Sequence, residues 1–267
     1  MTAPRFYLPP EPCAGDVLRL ERREAHHALH VLRLQRGETV AVLDGVGHEF
    51  LCEITEASRE GVTLRVTQKN SLPPSSCQIT LLQALPKGKI IESIIQKAVE
   101  LGTYRIVPLL TEHVVIHLDE KDKTAKQQKW QLAAIEAIKQ CGAAWLPTIE
   151  KPTTIEEFLG RRNTGPKAGA PLSAFGLPPS VFELSLVGSL QKERRHPREC
   201  FQEFQVKSGR LPQSVSVWIG PEGDFTRDEL KMIEASGALP VSLGGLTLRV
   251  ETAAIYCLSI LSYELNR

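Results

Sequence analysis

The segment from residue 215 to residue 264 constrains the fold most, because it twice repeats a short apolar strand, a glycine-containing turn and a helix. The first strand, residues 215–219, ends in Gly220, and a capping box of Thr226 with Glu229 predicts the helix that follows. The second strand, residues 240–243, ends in Gly244, and its helix is predicted to start near Glu251. Strands that alternate with helices form parallel sheets, so this segment predicts an α/β fold.

Both glycine turns lie at the carboxyl ends of their strands, where open α/β sheets bind ligands. Glycine lets the bare backbone approach such a ligand. Neither turn has the lysine and hydroxyl of a phosphate loop or the spacing of a dinucleotide fingerprint, so the pattern favours a different cofactor. The alternative is that both turns are tight connections that hold no ligand.

The first 70 residues have a different pattern, with short alternating segments at residues 5–7, 39–43, 49–54 and 62–66. These segments predict a small β-barrel, and Asp44-Gly45 predicts a hairpin turn between two of its strands. Proline and serine between residues 71 and 76 indicate a linker. We therefore expect one domain over residues 1–72 and a second over residues 73–267. The second begins with a predicted strand at residues 79–83, a helix over 90–101, a strand at 106–110 and a helix over 129–140.

A local basic cluster stands out, because the whole chain has 32 basic and 31 acidic residues and a net charge of only +1. The cluster consists of Arg19, Arg22, Arg23, Arg33 and Arg36. It is either a surface that binds RNA phosphates or a solvated charged face. A later stretch with Lys192, Arg194, Arg195 and Arg198 presents the same two alternatives.

Composition narrows the class of protein further. No apolar run is long enough to cross a bilayer and the amino terminus lacks a signal-peptide core, so we expect a soluble, cytoplasmic protein without a membrane partner. The six cysteines form no C-x-x-C pair and are expected to be free thiols. His26 and His30 are one helical turn apart but have no third ligand nearby, so no metal is expected.

The two glycine turns together resemble the signature of a known family. The matching runs are Ile219-Gly220-Pro221-Glu222-Gly223, then Leu243-Gly244, then Leu248-Arg249 before Glu251-Thr252-Ala253. These runs, with residues 83–88 and 95–102 upstream, are similar to the RsmE family of ribosomal RNA methyltransferases. The resemblance covers nearly the whole chain.

This resemblance implies a PUA-like RNA-binding barrel followed by a SPOUT methyltransferase domain, whose parallel sheet contains a deep trefoil knot. It also implies a homodimer that transfers a methyl group from S-adenosylmethionine to N3 of a uridine in 16S ribosomal RNA of the small subunit. Two alternatives stay open. One is a SPOUT enzyme that modifies ribose or transfer RNA, and the other is an inactive RNA-binding protein.

The resemblance also indicates which residues form the site. S-adenosylmethionine would lie among three loops, in contact with Leu186, Val187, Gly188, Ile219, Gly220, Glu222, Gly223, Leu243, Gly244, Leu248 and Thr252. The residues expected to bind RNA are Arg5, Arg22, Arg23, Arg33 and Lys87.

Two catalytic candidates follow from the chemistry of N3, which carries a proton at neutral pH. Arg249, a permanent cation, is expected to stabilise the anion that forms when this proton leaves. Glu251 is either the general base or a carboxylate that favours the start of a helix.

The chain departs from the family pattern at a few positions near the two turns. Asp224 replaces a glycine, and Gly245-Leu246-Thr247 replaces proline, arginine and isoleucine. Ala143 stands where the family has arginine, and Val187-Gly188 stands where it has a histidine or an acid. These departures are expected to affect the choice of RNA target more than the binding of the cofactor.

Overall fold

The computed structural model describes residues 3–58, 60–113, 118–163, 182–191 and 193–265. The chain forms two compact units. The first comprises Met1–Pro74 with Ile135–Leu146, and the second comprises Ser75–Ala134 with Pro147–Arg267. Residues 160–179 are rich in glycine and proline, and this composition predicts a long loop. Residues 160–163 belong to a helix instead, and residues 164–179 lie outside the described residues.

The first unit contains a five-stranded sheet and a short helix. Its elements are β1 (Arg5–Tyr7), β2 (Val17–Leu20), α1 (Arg22–His26), β3 (Thr39–Leu43), β4 (His48–Ser58) and β5 (Gly61–Ser71). The strand order is β1-β3-β4-β5-β2, with β1 parallel to β3 and all other neighbours antiparallel. A short 3-10 helix (Glu11–Cys13) precedes β2, and a π-helical turn (His27–Val31) follows α1.

Alternation of buried and exposed side chains explains this sheet. Phe50, Cys52 and Ile54 are buried on one face of β4, because successive strand residues point to opposite faces. The predicted hairpin turn joins β3 to β4. Asp44 closes it, since its Oδ1 accepts hydrogen bonds from the backbone N–H groups of Val46 and His48 at 2.9 and 3.0 Å.

The second unit is an α/β layer structure, as the sequence predicts. Its elements are β6 (Gln78–Ala84), α2 (Ile90–Glu100), β7 (Arg105–Leu110), α3 (Glu120–Cys141, whose last turns belong to the first unit), β8 (Thr148–Ile149), β9 (Thr153–Thr154), α4 (Ile155–Asn163), β10 (Leu184–Gly188), α5 (Pro197–Ser208), β11 (Ser214–Ile219), α6 (Arg227–Ala235), β12 (Leu239–Val241) and α7 (Val250–Leu265). None of the described helices is long and apolar enough to span a membrane.

All strand pairs of the second sheet are parallel. The order is β12-β10-β11-β6-β7-β8, and β9 also pairs with β7. Every residue of β6 and β11 is buried, as expected for central strands covered by helices on both faces. Because the strands are parallel, the loops after β10, β11 and β12 leave the sheet at the same edge. The trefoil knot stays a prediction.

Candidate active site

A cavity of about 480 Å³ lies at the carboxyl edge of β10, β11 and β12. This volume falls within the range of about 300–1,000 Å³ that is usual for small-molecule sites. The residues that line it are Ile90, Gly188, Ser189, Leu190, Arg194, Ile219, Gly220, Pro221, Glu222, Asp224, Leu243, Gly244, Leu246, Thr247, Leu248, Arg249, Val250, Glu251 and Ala253.

Seven of the eleven predicted cofactor residues line this cavity, namely Gly188, Ile219, Gly220, Glu222, Leu243, Gly244 and Leu248. The three loops converge at Gly188, where an added Cβ would lie 3.3 Å from Leu243 Cδ1 and 3.4 Å from Ile219 Cδ1. The structure does not bring the other four residues to the cavity wall. Leu186 and Val187 are fully buried inside β10, Gly223 faces the ring of His113, and Thr252 is exposed on α7.

The turn after β11 closes tightly on itself. Asp224 has a positive φ of 61° and its Oδ1 accepts a hydrogen bond from the N–H of Phe225 at 2.8 Å. A Cβ on Gly220 would lie 2.9 Å from that same oxygen and 3.2 Å from the Cα of Asp224. Aspartate tolerates the left-handed conformation that the turn requires, so Asp224 can stand where the family has glycine.

Neighbouring segments hold this turn in place. The predicted capping box is present, with the N–H of Thr226 donating to Glu229 Oε2 at 2.8 Å. The other oxygen of this buried carboxylate accepts from the N–H of Glu112, just after β7, at 2.9 Å. His113 Nδ1 donates to the carbonyl of Asp224 at 2.9 Å, which requires the proton on Nδ1. The loop after β7 therefore braces the glycine turn.

The turn after β12 presents the two catalytic candidates. Gly244 has a φ of 114°, a conformation that side chains rarely adopt. The carbonyl of Arg249 accepts the first hydrogen bond of α7 from the N–H of Ala253 at 2.8 Å. Arg249 and Glu251 both line the cavity, and neither forms an ion pair with another described residue. Both side chains are therefore available to a ligand.

Comparison with known proteins identifies the family. A family model described as an RNA methyltransferase domain matches residues 73–262, and one described as an RNA methyltransferase PUA domain matches residues 20–67. Ribosomal RNA small subunit methyltransferase E of Synechocystis sp. is 31% identical over 96% of this chain and 76% of the relative. The chain belongs to the ribosomal RNA small subunit methyltransferase E family.

Other members and neighbours agree with this assignment. Methyltransferase E of Bacillus subtilis is 27% identical over 90% of this chain and 88% of the relative. A putative methyltransferase of Legionella pneumophila, solved in complex with S-adenosylmethionine, is 28% identical with a TM-score of 0.80, covering 99% of this chain and 98% of that one. The predicted fold class, a PUA-like domain followed by a SPOUT-type methyltransferase domain, is therefore confirmed, and the chain is an RNA methyltransferase by family.

Burial makes three of the cysteines poor nucleophiles. All six are free, and five of them are buried. Burial raises the pKa of Cys52, Cys77 and Cys257 to about 12, so these thiols stay protonated at neutral pH. No cysteine lines the cavity at the sheet edge.

The arginines of the predicted RNA-binding cluster differ in their partners. Arg23 pairs with Glu136 at 3.1 Å, and Arg19 pairs with Glu21 at 3.5 Å. Arg22, Arg33 and Arg36 are exposed and form no ion pair with described residues. Arg22 and Arg33 also have positive φ angles of 47° and 55°.

The remaining residues considered for RNA or metal binding are Arg5, Lys87, His26 and His30. Arg5 Nη1 donates to the carbonyl of Gln140 at 3.2 Å, and the N–H of Lys87 donates to Glu222 Oε1 at 3.0 Å. An RNA contact for either residue stays a prediction. The rings of His26 and His30 lie 4.9 Å apart, and no group of three potential metal ligands occurs in the described parts of the chain.

The later basic stretch contains a site residue that we did not predict. Arg195 pairs with Glu203 at 2.6 Å and Arg198 with Glu264 at 3.7 Å. Arg194 instead lines the cavity and donates from Nη1 to the carbonyl of Ser189 at 3.1 Å. In the sequence, Arg194 follows a predicted strand of the sheet. Arg195 and Arg198 follow the same strand, so this position alone does not distinguish Arg194 from them.

Proposed function

We propose that this protein transfers a methyl group from S-adenosylmethionine to N3 of a uridine in small-subunit ribosomal RNA. The observation that carries the proposal is the cavity in which both glycine turns meet Arg249 and Glu251. The names of the relatives support the substrate, since they are ribosomal RNA small subunit methyltransferases. An enzyme with this substrate works in the cytoplasm.

The residues of the cavity suit S-adenosylmethionine. Glycine backbone at Gly220 and Gly244 offers N–H and carbonyl groups to an adenine, while Ile219, Leu243 and Leu248 offer apolar contacts. When bound, the cofactor supplies an electrophilic methyl group with a positive charge on its sulfur. The Legionella neighbour, whose similarity covers nearly the whole chain, was solved with this cofactor.

Arg249 would make N3 reactive. A uridine N3 keeps its proton at neutral pH, and the nitrogen becomes a good nucleophile only as the anion. A guanidinium beside N3 or its neighbouring carbonyl oxygens stabilises that anion and so lowers the pKa of N3. Arg249 has no carboxylate partner among the described residues that would neutralise this effect.

Glu251 has two roles open to it. It lies in the first turn of α7, where a carboxylate is favoured by the helix dipole, and it also lines the cavity. As a general base it would accept the N3 proton directly or through a water molecule. We propose the helix-start role as its main one, with solvent water accepting the N3 proton once Arg249 has lowered the pKa of N3.

RNA would be bound by the first domain, which we place at residues 1–72 before a methyltransferase domain at residues 73–267. The match of a PUA domain model to residues 20–67 supports this division. Arg22, Arg33 and Arg36 are the cluster members without an ion-pair partner among the described residues, so they are best placed to bind phosphates.

We also propose that the active form is a homodimer in which α7 contributes to the interface. Ala254, Cys257, Leu258 and Leu261 of this apolar helix are buried within the unit. Tyr256 and Tyr263 remain 46% and 72% exposed, and exposed aromatic residues are typical of interfaces. Sedimentation at micromolar concentration tests this, because a purely monomeric wild-type protein would contradict it.

Titration of S-adenosylmethionine by calorimetry tests whether the protein is an enzyme or only binds RNA. We expect saturable binding with one site per chain. Absence of binding at millimolar cofactor would favour the inactive RNA-binding alternative. Digestion of methylated RNA to nucleosides then tests the target atom, because 3-methyluridine and 2′-O-methyluridine differ in fragment masses.

A further inference from the structure

Arg194 reaches the cavity from a segment that the sheet holds firmly. The next residue, Arg195, forms a parallel bridge with Val241 at the end of β12. Its N–H donates to the carbonyl of Pro240 at 3.0 Å, and its carbonyl accepts from the N–H of Ser242 at 2.9 Å. The backbone at Arg194 is therefore fixed beside the glycine turn that carries Arg249.

The charge of Arg194 is uncompensated, unlike that of its neighbours. Arg195 and Arg198 pair with Glu203 and Glu264, whereas Arg194 forms no ion pair with a described residue. One of its five N–H donors is used by the carbonyl of Ser189. Arg194 is half-buried as a residue, and its other donors can serve a ligand.

The cavity thus contains two cations without an ion-pair partner among the described residues, Arg194 from the loop after β10 and Arg249 from the loop after β12. Two of its carboxylates already serve the fold, since Glu222 accepts from Lys87 and Asp224 from Phe225. S-adenosylmethionine carries two positive charges and one carboxylate, so it needs at most one of these arginines. A nucleotide adds the phosphate that a second guanidinium binds well.

We propose that Arg194 binds a phosphate next to the uridine that is methylated, while Arg249 acts on the base. This inference rests on the proposed function, because it assigns the RNA to the same cavity. Two arginines on neighbouring loops would hold the nucleotide at both ends. Arg194 is then a residue that positions the RNA and touches no reacting atom.

The test compares Arg194→Ala and Arg194→Lys with Lys207→Ala, which removes a charge from an exposed pair on α5. The probe is a 16S ribosomal RNA transcript, whose dissociation constant is measured from 50 to 200 mM salt. For Arg194→Ala we expect weaker RNA binding by about tenfold. The log-log salt slope should fall by about 0.7–0.9, the value for one bound phosphate. Affinity for S-adenosylmethionine should stay within about twofold of wild type.

Arg194→Lys should keep the salt slope but regain only part of the affinity, because a lysine lacks the planar fork. Weaker cofactor binding with an unchanged salt slope would overturn the proposal and assign Arg194 to the cofactor carboxylate. An unchanged affinity for both ligands would also overturn it. If wild-type protein methylates no RNA, the proposed function fails by itself, and the salt slope still decides whether Arg194 contacts a phosphate.

Discussion

Arg249 is the side chain on which the proposed chemistry depends most. Arg249→Ala should lower the single-turnover methylation rate by about 100-fold or more, as the loss of one preorganised donor to a developing anion does elsewhere. Cofactor affinity should barely change, because the turn backbone keeps its shape. Rapid-quench assays with saturating cofactor and RNA measure the rate.

Glu251→Gln is the matched control for this variant. It keeps the size of the side chain and lies two residues further on, in the first turn of α7. We expect the rate to fall by only a few fold, since the helix start tolerates a neutral side chain. A rate for Arg249→Ala equal to that of wild type would remove this residue from the active site.

The turn after β11 leaves no room for a side chain at Gly220. A Cβ there meets Asp224 Oδ1 at 2.9 Å and the backbone N of Phe225 at 3.2 Å, so Gly220→Ala must displace the turn. We expect a soluble protein that binds S-adenosylmethionine at least about tenfold more weakly, because a ligand pocket depends on its preformed shape. Gly245→Ala is the control, since its Cβ would enter open space. Equal cofactor affinity for Gly220→Ala and wild type would contradict this assignment.

Single residues also mark the limit of prediction from the sequence. The resemblance flagged Asp224 as a departure, but only the structure relates its positive φ and its hydrogen bond to the crowding at Gly220. Arg194 could not be separated from Arg195 and Arg198 in the sequence. Its role depends on the bridge between Arg195 and Val241, a contact between distant segments.

The first turn of helix α6 contains a buried carboxylate, Glu229, that accepts hydrogen bonds from two segments of the chain. Glu229 accepts from Thr226 within its capping box and from Glu112 after β7. Glu229→Ala should lower the free energy of unfolding by about 1–3 kcal/mol, because the partly buried N–H groups of Thr226 and Glu112 lose their carboxylate partner. Chemical denaturation measures the decrease. Glu234→Ala, on the exposed face of the same helix, should change stability by less than about 0.5 kcal/mol. Equal stability of the two variants would contradict the bracing role.

Strong periodicity made most strands and helices predictable. The apolar strands at residues 79–83, 106–110 and 215–219 match β6, β7 and β11 within two residues at each end. Helix α3 starts at Glu120, before the predicted residue 129. The sequence pattern does not predict these first turns because they are charged and lack an apolar stripe. Strand β2, with the short pattern Val-Leu-Arg-Leu, and helix α5 gave too little signal.

RNA affinity of the whole molecule should depend on the arginines of the first unit that have no ion-pair partner among the described residues. Arg22→Glu with Arg33→Glu should weaken RNA binding and reduce the log-log salt slope by about one unit for each phosphate that the variant no longer binds. Filter binding from 50 to 200 mM salt measures both. Arg65→Ala, which removes an exposed partner of Glu53, is the control and should leave the slope unchanged. An unchanged slope for the double variant would move the RNA surface elsewhere.

The division of the chain was only partly visible in the sequence. The change of pattern near residue 72 separates the first sheet from the second, but Ile135–Leu146 also belongs to the first unit. Long-range interactions cause this, such as the hydrogen bond from Trp145 Nε1 to the carbonyl of Leu72 at 3.0 Å. The buried pair of Lys139 with Glu24 at 2.9 Å adds a second such interaction. Neither interaction has a local sequence signal.

Mapping of modified nucleosides in small-subunit ribosomal RNA tests the proposed activity most directly. The RNA is taken from a strain that lacks this gene and from the same strain that carries the wild-type gene or the Arg249→Ala variant. We expect one 3-methyluridine to be absent from the deletion strain, present with the wild-type gene and absent or strongly reduced with the variant. Unchanged 3-methyluridine in the deletion strain, or disappearance of a ribose methylation instead, would contradict the proposed function.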